Sequence, residues 1–201
     1  GFNVVASDAL AMLSETDQFV ELKDQEIVTL TADAIHIETI DGKVEERKPF
    51  TVKVDDGEVS KGTYPFFMLK EIDEQPIVMR RLVEKYTDDH GNIVLPEDLL
   101  KALQQADRLY IVAAGTSYHA GLVGAPLFEQ LAGIPTEVHV ASEFAYHQPL
   151  LSKHPLFIFL TQSGETADIR QVLVSVKERG YQTLTITNVA SSTLAREATF
   201  M

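Results

Sequence analysis

The sequence has no cysteine, few basic side chains and no long apolar run. The first absence excludes disulfides, thiolate metal sites and a cysteine nucleophile within this chain, and it fits a cytoplasmic protein. The second leaves 17 Lys and Arg against 30 Asp and Glu, a net charge of -13. Nucleic acid and anionic membrane surfaces both require a positive footprint, so neither is expected as a partner. The third leaves no stretch of membrane-spanning length, and no signal peptide is read. Three phosphate and nucleophile signatures are missing as well: the Gly-Lys-Ser/Thr of a nucleotide P-loop, the dinucleotide glycine fingerprint, and the Gly-x-Ser-x-Gly elbow of hydrolases. No internal repeat or low-complexity segment is present.

What remains is a globular composition, 45% hydrophobic over 201 residues, enough for one large or two small domains. Charge divides it unevenly. Residues 1–60 hold 14 acids and 5 bases (net -9), and residues 61–201 hold 16 and 12 (net -4). Two units of different character are expected. The first residue is Gly1 and the last four are Ala-Thr-Phe-Met, which resemble the start of a strand, so the chain reads as a piece of a longer protein.

Residues 1–60 read as mainly antiparallel β structure. Phe2–Ala6, Gln18–Leu22, Glu26–Thr31 and Ala34–Ile40 are the expected strands, with a short helix over Ala9–Leu13 capped by Ser7 or Asp8 and a tight turn at Asp41-Gly42. Ile35 and Ile37 should face one way and His36 and Glu38 the other, which places His36 on the wet face without a second metal ligand. Residues 55–65 form a turn-rich break. Two linking helices follow, Phe66–Gln75 and a second begun by Pro76 and running to Tyr86. Asp88, Asp89 and His90 are read as a solvated turn, and Pro96–Gln105 as another helix.

From Asp107 onward strands alternate with helices: strand Leu109–Ala113, exit loop Gly115-Thr116-Ser117, helix Tyr118–Leu131, strand Glu137–Ala141, a short helix around Glu143–Tyr146, strand Leu156–Leu160, a helix from Ala167 to Gly180, and strand Thr183–Thr187. Short connections of this kind imply a parallel sheet covered on both sides, an α/β fold. Ligands of such sheets sit beyond the carboxyl ends of the strands. Two of those ends carry hydroxyls ahead of a helix, Gly115-Thr116-Ser117 and Thr161-Gln162-Ser163-Gly164-Glu165-Thr166. Helix N-termini leave N–H groups unpaired and attract anions, and Ser, Thr and Gln side chains add donors. Phosphate is the first candidate ligand. Simple capping, with Ser163 as N-cap, reads the second loop equally well in isolation.

Three motifs in this order, Ala113–Ala120 (Ala-Ala-Gly-Thr-Ser-Tyr-His-Ala), Ala141-Ser142-Glu143-Phe144 and Gln162-Ser163-Gly164-Glu165-Thr166-Ala167-Asp168, resemble the first sugar-isomerase (SIS) domain of the glutamine:fructose-6-phosphate amidotransferases. Met68–Pro76 resembles the interdomain helix of that family, and Ala6-Ser7-Asp8 the late part of its glutaminase domain. The resemblance implies residues 1–60 as the end of a glutaminase domain, 61–106 as linker helices and 107–201 as the first part of an SIS domain. It implies a parent enzyme that makes glucosamine 6-phosphate from fructose 6-phosphate and glutamine, without a cofactor or metal, as a homodimer.

Carried over by motif, Ser117, Thr161, Gln162, Ser163 and Thr166 would hold the sugar phosphate, Thr116 would lie near the sugar end, and Asp8 would bind the glutamine amino group. Asp8 alone is equally a helix cap. Glu165 takes no role from the family and is read as a first-turn acid favouring the helix dipole. Ala114 stands where the family often has cysteine. The family's cysteine nucleophile would precede Gly1, and its acid-base and Schiff-base residues would follow Met201. No catalytic residue and no turnover are therefore expected of this chain. A non-catalytic sugar-phosphate sensing module is the alternative reading. A plain phosphosugar isomerase is disfavoured, because His119 and His147 are the only imidazoles near the loops: His119 is read as a helix-surface residue, and His147, beside Gln148-Pro149, could face a pocket but has no paired carboxylate.

Overall fold

The computed structural model describes residues 2–6, 12–13, 15–51, 61–190 and 192–201. It divides into two compact units, Gly1–Arg81 and Leu82–Met201. Ser7, Asp8 and most of the Ala9–Leu13 helix lie outside the described residues, as does the first half of the 55–65 break.

In the first unit, β1 (Gln18–Phe19) pairs antiparallel with β4 (Phe50–Thr51), and β2 (Glu26–Leu30) pairs antiparallel with β3 (Ile35–Thr39). The turn at Asp41-Gly42 forms as expected, with Gly42 at φ +80° and its N–H donated to the Thr39 carbonyl at 2.8 Å. Ile37 is buried and His36 is exposed, but Ile35 is exposed too, because it stands at the hairpin end of β3.

Three expectations change. Among the described residues Phe2–Ala6 joins no ladder, and the Asn3 side-chain amide donates to the Thr31 carbonyl at 2.8 Å and to the Ala34 carbonyl at 3.4 Å. The strand at Gln18–Leu22 is reduced to two residues. The two linking helices are one, α1 (Phe67–Tyr86), with Pro76 inside it. Proline removes one helical N–H and crowds the preceding turn, yet good helix formers on both sides carry the helix through.

The first helix that lies wholly within the second unit is α2 (Glu97–Gln105), whose first-turn Glu97 and Asp98 favour its dipole. Then come β5 (Arg108–Ala113), α3 (Gly115–Leu127, prolonged by a π turn over Phe128–Ala132), β6 (Thr136–Val140), α4 (Ala141–Tyr146), β7 (Pro155–Leu160), α5 (Ala167–Glu178), β8 (Gln182–Ile186) and α6 (Thr193–Glu197). The sheet order is β6-β5-β7-β8, all parallel. Phe200 bridges Leu184 in parallel beyond β8, so the last residues do begin to extend the sheet.

The continuous apolar runs of β5 and β7 follow from burial on both faces. Tyr110, Val112, Phe157 and Phe159 face Phe144 of α4 and Ile169, Val172, Leu173 and Val176 of α5. Leu109, Ile111, Leu156 and Ile158 face Leu99 of α2, with Phe128 and Val138 packed alongside. Tyr110 stacks on Phe157 with ring centroids 5.2 Å apart. On the second face Gly121 sets how closely α3 can approach: a Cβ there would lie 2.8 Å from Val138 and 2.9 Å from Ile111. Glycine lets the helix settle directly on β5 and β6, which fixes where its N-terminus points.

In the first unit Glu26 and Arg47 make a paired contact through both carboxylate oxygens. The Arg47 guanidinium, with help from the Lys23 N–H, holds the Glu26 carboxyl down to about 2, from an ordinary 4.5. A depressed carboxyl contributes its stabilisation fully above its unfolded value and loses it as pH falls toward the folded one. Glu26→Gln should therefore destabilise this unit at pH 6, and the gap from the unsubstituted chain should close between pH 4.5 and 2. Urea unfolding followed at several pH values checks this, and a gap independent of pH would contradict it.

Candidate functional site

At the carboxyl edge of the sheet, the strand exits of β5 and β7 lie side by side because the two strands are hydrogen-bonded neighbours. The cavity between them has a volume of about 310 Å³. That is the lower end of the range for small-ligand sites. Thr116, Ser117, Thr161, Gln162, Ser163 and Thr166 all line it, together with Ala114, Gly115, Leu160 and Ile169. The structure thus brings together the six cavity-lining residues anticipated from the sequence. Asp8 lies outside the described residues.

Two local expectations are corrected. Gly115-Thr116-Ser117 is the first turn of α3 and not a loop ahead of it, because Gly115, at φ +56°, lets the chain turn directly from strand into helix. The N-cap of α5 is Thr166, not Ser163, and no side chain caps either α5 or α3. The hydroxyls are used otherwise. Thr161, which is buried, accepts the Gly164 N–H at 3.2 Å and lies 3.3 Å from the Thr166 hydroxyl. Ser163 accepts the Glu165 N–H at 3.2 Å, which leaves its own proton to donate. The cavity therefore combines two helix N-termini without side-chain caps and several hydroxyl donors.

The cavity-lining side chains named above are all uncharged. None titrates near neutrality, so this wall can hold an anion but offers no group to move a proton. Among the described residues no cluster of His, Cys, Asp or Glu could hold a metal ion, and no helix is long and apolar enough to cross a membrane. Asp88 spends its carboxylate on its own turn, accepting the N–H groups of His90 and Asn92 at 2.9 and 2.8 Å.

Over residues 102–201 the chain matches the SIS domain family. These residues belong to that family. The whole chain is 64% identical over 200 residues to a glutamine–fructose-6-phosphate aminotransferase (isomerizing) of Lactiplantibacillus plantarum and 60% identical to that of Oceanobacillus iheyensis, spanning 33% of the length of each. Its SIS fold is similar to the solved C-terminal domain of glucosamine-fructose-6-phosphate aminotransferase from Francisella tularensis. That match has a TM-score of 0.64 at 36% identity and covers 70% of this chain and 40% of that one. A glucosamine-6-phosphate deaminase from Thermotoga maritima is a more distant match, TM-score 0.52 at 26% identity, over 66% of this chain and 38% of that one.

What the sequence did not disclose is how the second SIS loop is braced. Gly164 sits at φ +72°, and a Cβ on it would lie 1.9 Å from the Ser192 hydroxyl and 2.3 Å from the Ser192 Cβ. The Gln162 carbonyl accepts both the Asn188 N–H at 3.3 Å and the Thr187 hydroxyl at 3.1 Å. The Gly164 carbonyl accepts the Leu194 N–H at 3.0 Å. A glycine beside Ser, Thr and Gln signals a close approach, but the identity of its neighbour is a long-range fact. Gly164→Ala meets both a strained φ and a clash with a buried serine, so it should destabilise the second unit by about 3 kcal/mol. Chemical denaturation measures this, and a loss below about 1 kcal/mol would show that the contact relaxes freely.

Proposed function

We propose that this chain is the part of a glutamine–fructose-6-phosphate aminotransferase (isomerizing) that grips the phosphate of fructose 6-phosphate. One observation carries the reading: the N-termini of α3 and α5, neither with a side-chain cap, open into the same hydroxyl-lined cavity. A dianionic phosphate completes the helix N–H groups and accepts from Ser117, Thr161, Gln162, Ser163 and Thr166, while Thr116 lies toward the sugar. The 60–64% identity to aminotransferases along the whole chain supports this particular phosphosugar and the enzymatic reading over a sensing module.

On this proposal residues 1–60 end a glutaminase domain in which Asp8 receives the glutamine amino group. Residues 61–106 link the domains, and residues 107–201 begin the sugar-phosphate domain. The full-length protein would be a cytoplasmic homodimer that converts fructose 6-phosphate and glutamine into glucosamine 6-phosphate. The chemistry of ring opening and amination falls to residues other than those lining this cavity.

Isothermal calorimetry on the chain should show fructose 6-phosphate binding and no measurable binding of fructose. Ser117→Ala and Ser163→Ala should each weaken the phosphosugar about tenfold, the effect of losing one hydrogen bond to a charged group. Equal affinity for fructose and fructose 6-phosphate would overturn the proposal.

A further inference from the structure

Of the second loop, Gly164 and Glu165 do not line the cavity, and the Glu165 side chain has a specific partner: its Oε1 accepts the Thr193 N–H at 2.7 Å. Thr193 is the first residue of α6, a helix of five residues and too short to be stable by itself. The far end of α6 is also tied. Glu197 takes a forked pair of hydrogen bonds from Arg170 of α5, with Nη2 to Oε1 at 2.8 Å and Nε to Oε2 at 3.1 Å. The Glu197 carbonyl also accepts from Lys177.

Helix α6 is thus stapled at its end to the body of α5 and at its start to the loop that leads into α5. Between the two staples the Leu194 N–H holds the Gly164 carbonyl, and just ahead of the first, Ser192 fills the space that a Cβ at position 164 would need. The loop carrying Ser163 and Thr166 is therefore set by α6, and Glu165 is its side-chain connection to that helix.

We infer that Glu165 is a positioning residue for the phosphate site, acting through the Thr193 N–H to hold the Gln162–Thr166 loop in its anion-receiving shape. The inference rests on the phosphate reading of the cavity. Its carboxylate is directed to a backbone amide of α6 and adds no donor to the ligand. Its effect on binding therefore comes from acceptor geometry and reach, and not from charge. Gln at this position preserves the acceptor, Asp preserves the charge but shortens the reach, and Ala preserves neither.

The test measures fructose 6-phosphate affinity by calorimetry, and amide hydrogen exchange at Gly164, Glu165, Thr193 and Leu194, in the 201-residue chain and in the variants Glu165→Ala, Glu165→Asp and Glu165→Gln. Glu165→Ala and Glu165→Asp should bind about tenfold more weakly, with faster exchange at those amides, while Glu165→Gln stays within about twofold of the unsubstituted chain in both measurements. Unchanged affinity in Glu165→Ala, or equal weakening in Glu165→Gln and Glu165→Ala, would overturn the inference. If the unsubstituted chain fails to bind fructose 6-phosphate, the phosphate reading itself falls. The exchange data then decide the latch alone, and unchanged protection at Thr193 and Leu194 in Glu165→Ala would overturn it.

Discussion

The backbone N–H groups at the start of a helix cannot be paired within that helix, and this requirement organises the second unit. A side chain can fold back to meet it, as Ser192 does for α6 by accepting the Ala195 N–H. Here α3 and α5 begin with no such side chain, on neighbouring strands whose parallel direction brings both starts to one edge of the sheet. Parallel strands make the convergence unavoidable, and the hydrogen-bonded pairing of β5 with β7 makes it close. The two sets of unpaired donors therefore share one cavity.

That arrangement meets an electrostatic difficulty, because the chain carries a net charge of -13 and the proposed ligand is an anion. Range resolves it. Surface carboxylates beyond about 8 Å are largely screened at physiological salt, whereas helix-terminal N–H groups and hydroxyls act at contact distance. Neutral donors also avoid the cost of desolvating a lysine or arginine when no ligand is bound. They lose in exchange the long reach of a full charge, so affinity in such a site depends on how accurately the donors are held.

Much of this was legible in the sequence. The apolar run Leu156–Leu160 and the Ile169, Val172, Leu173, Val176 spacing specify a buried strand and the helix after it, because each pattern reports its own local burial. That the six residues would meet at one place was legible for a related reason: a parallel sheet brings the polar exits of neighbouring strands to the same edge. Three things were not legible. Pro76 suggested a break, but a helix continues through a proline when its flanks are strong. Thr166, not Ser163, is the N-cap, since the conformation of Gly164 shifts the start of the helix. Glu165 is bonded to a residue 28 positions away, which no local pattern encodes.

The same distinction explains why the bracing lies where it does. A loop of Thr, Gln, Ser, Gly and Glu has high conformational freedom, and fixing each backbone residue costs about 1 to 2 kcal/mol. If the ligand had to order it, that cost would be subtracted from every binding event. In this fold the ordering is completed beforehand by groups outside the cavity lining: Thr187 and Asn188 on the Gln162 carbonyl, Leu194 on the Gly164 carbonyl and Thr193 on Glu165. The region following β8 therefore does more than extend the sheet. Because α6 is secured to α5 through Arg170 and Glu197, it returns the rigidity of the helix body to the loop at that helix's own N-terminus. A site made of neutral donors needs this support more than a site with a fixed cation would, since displacing a hydrogen-bond donor by a fraction of an ångström costs far more than displacing a point charge by the same amount.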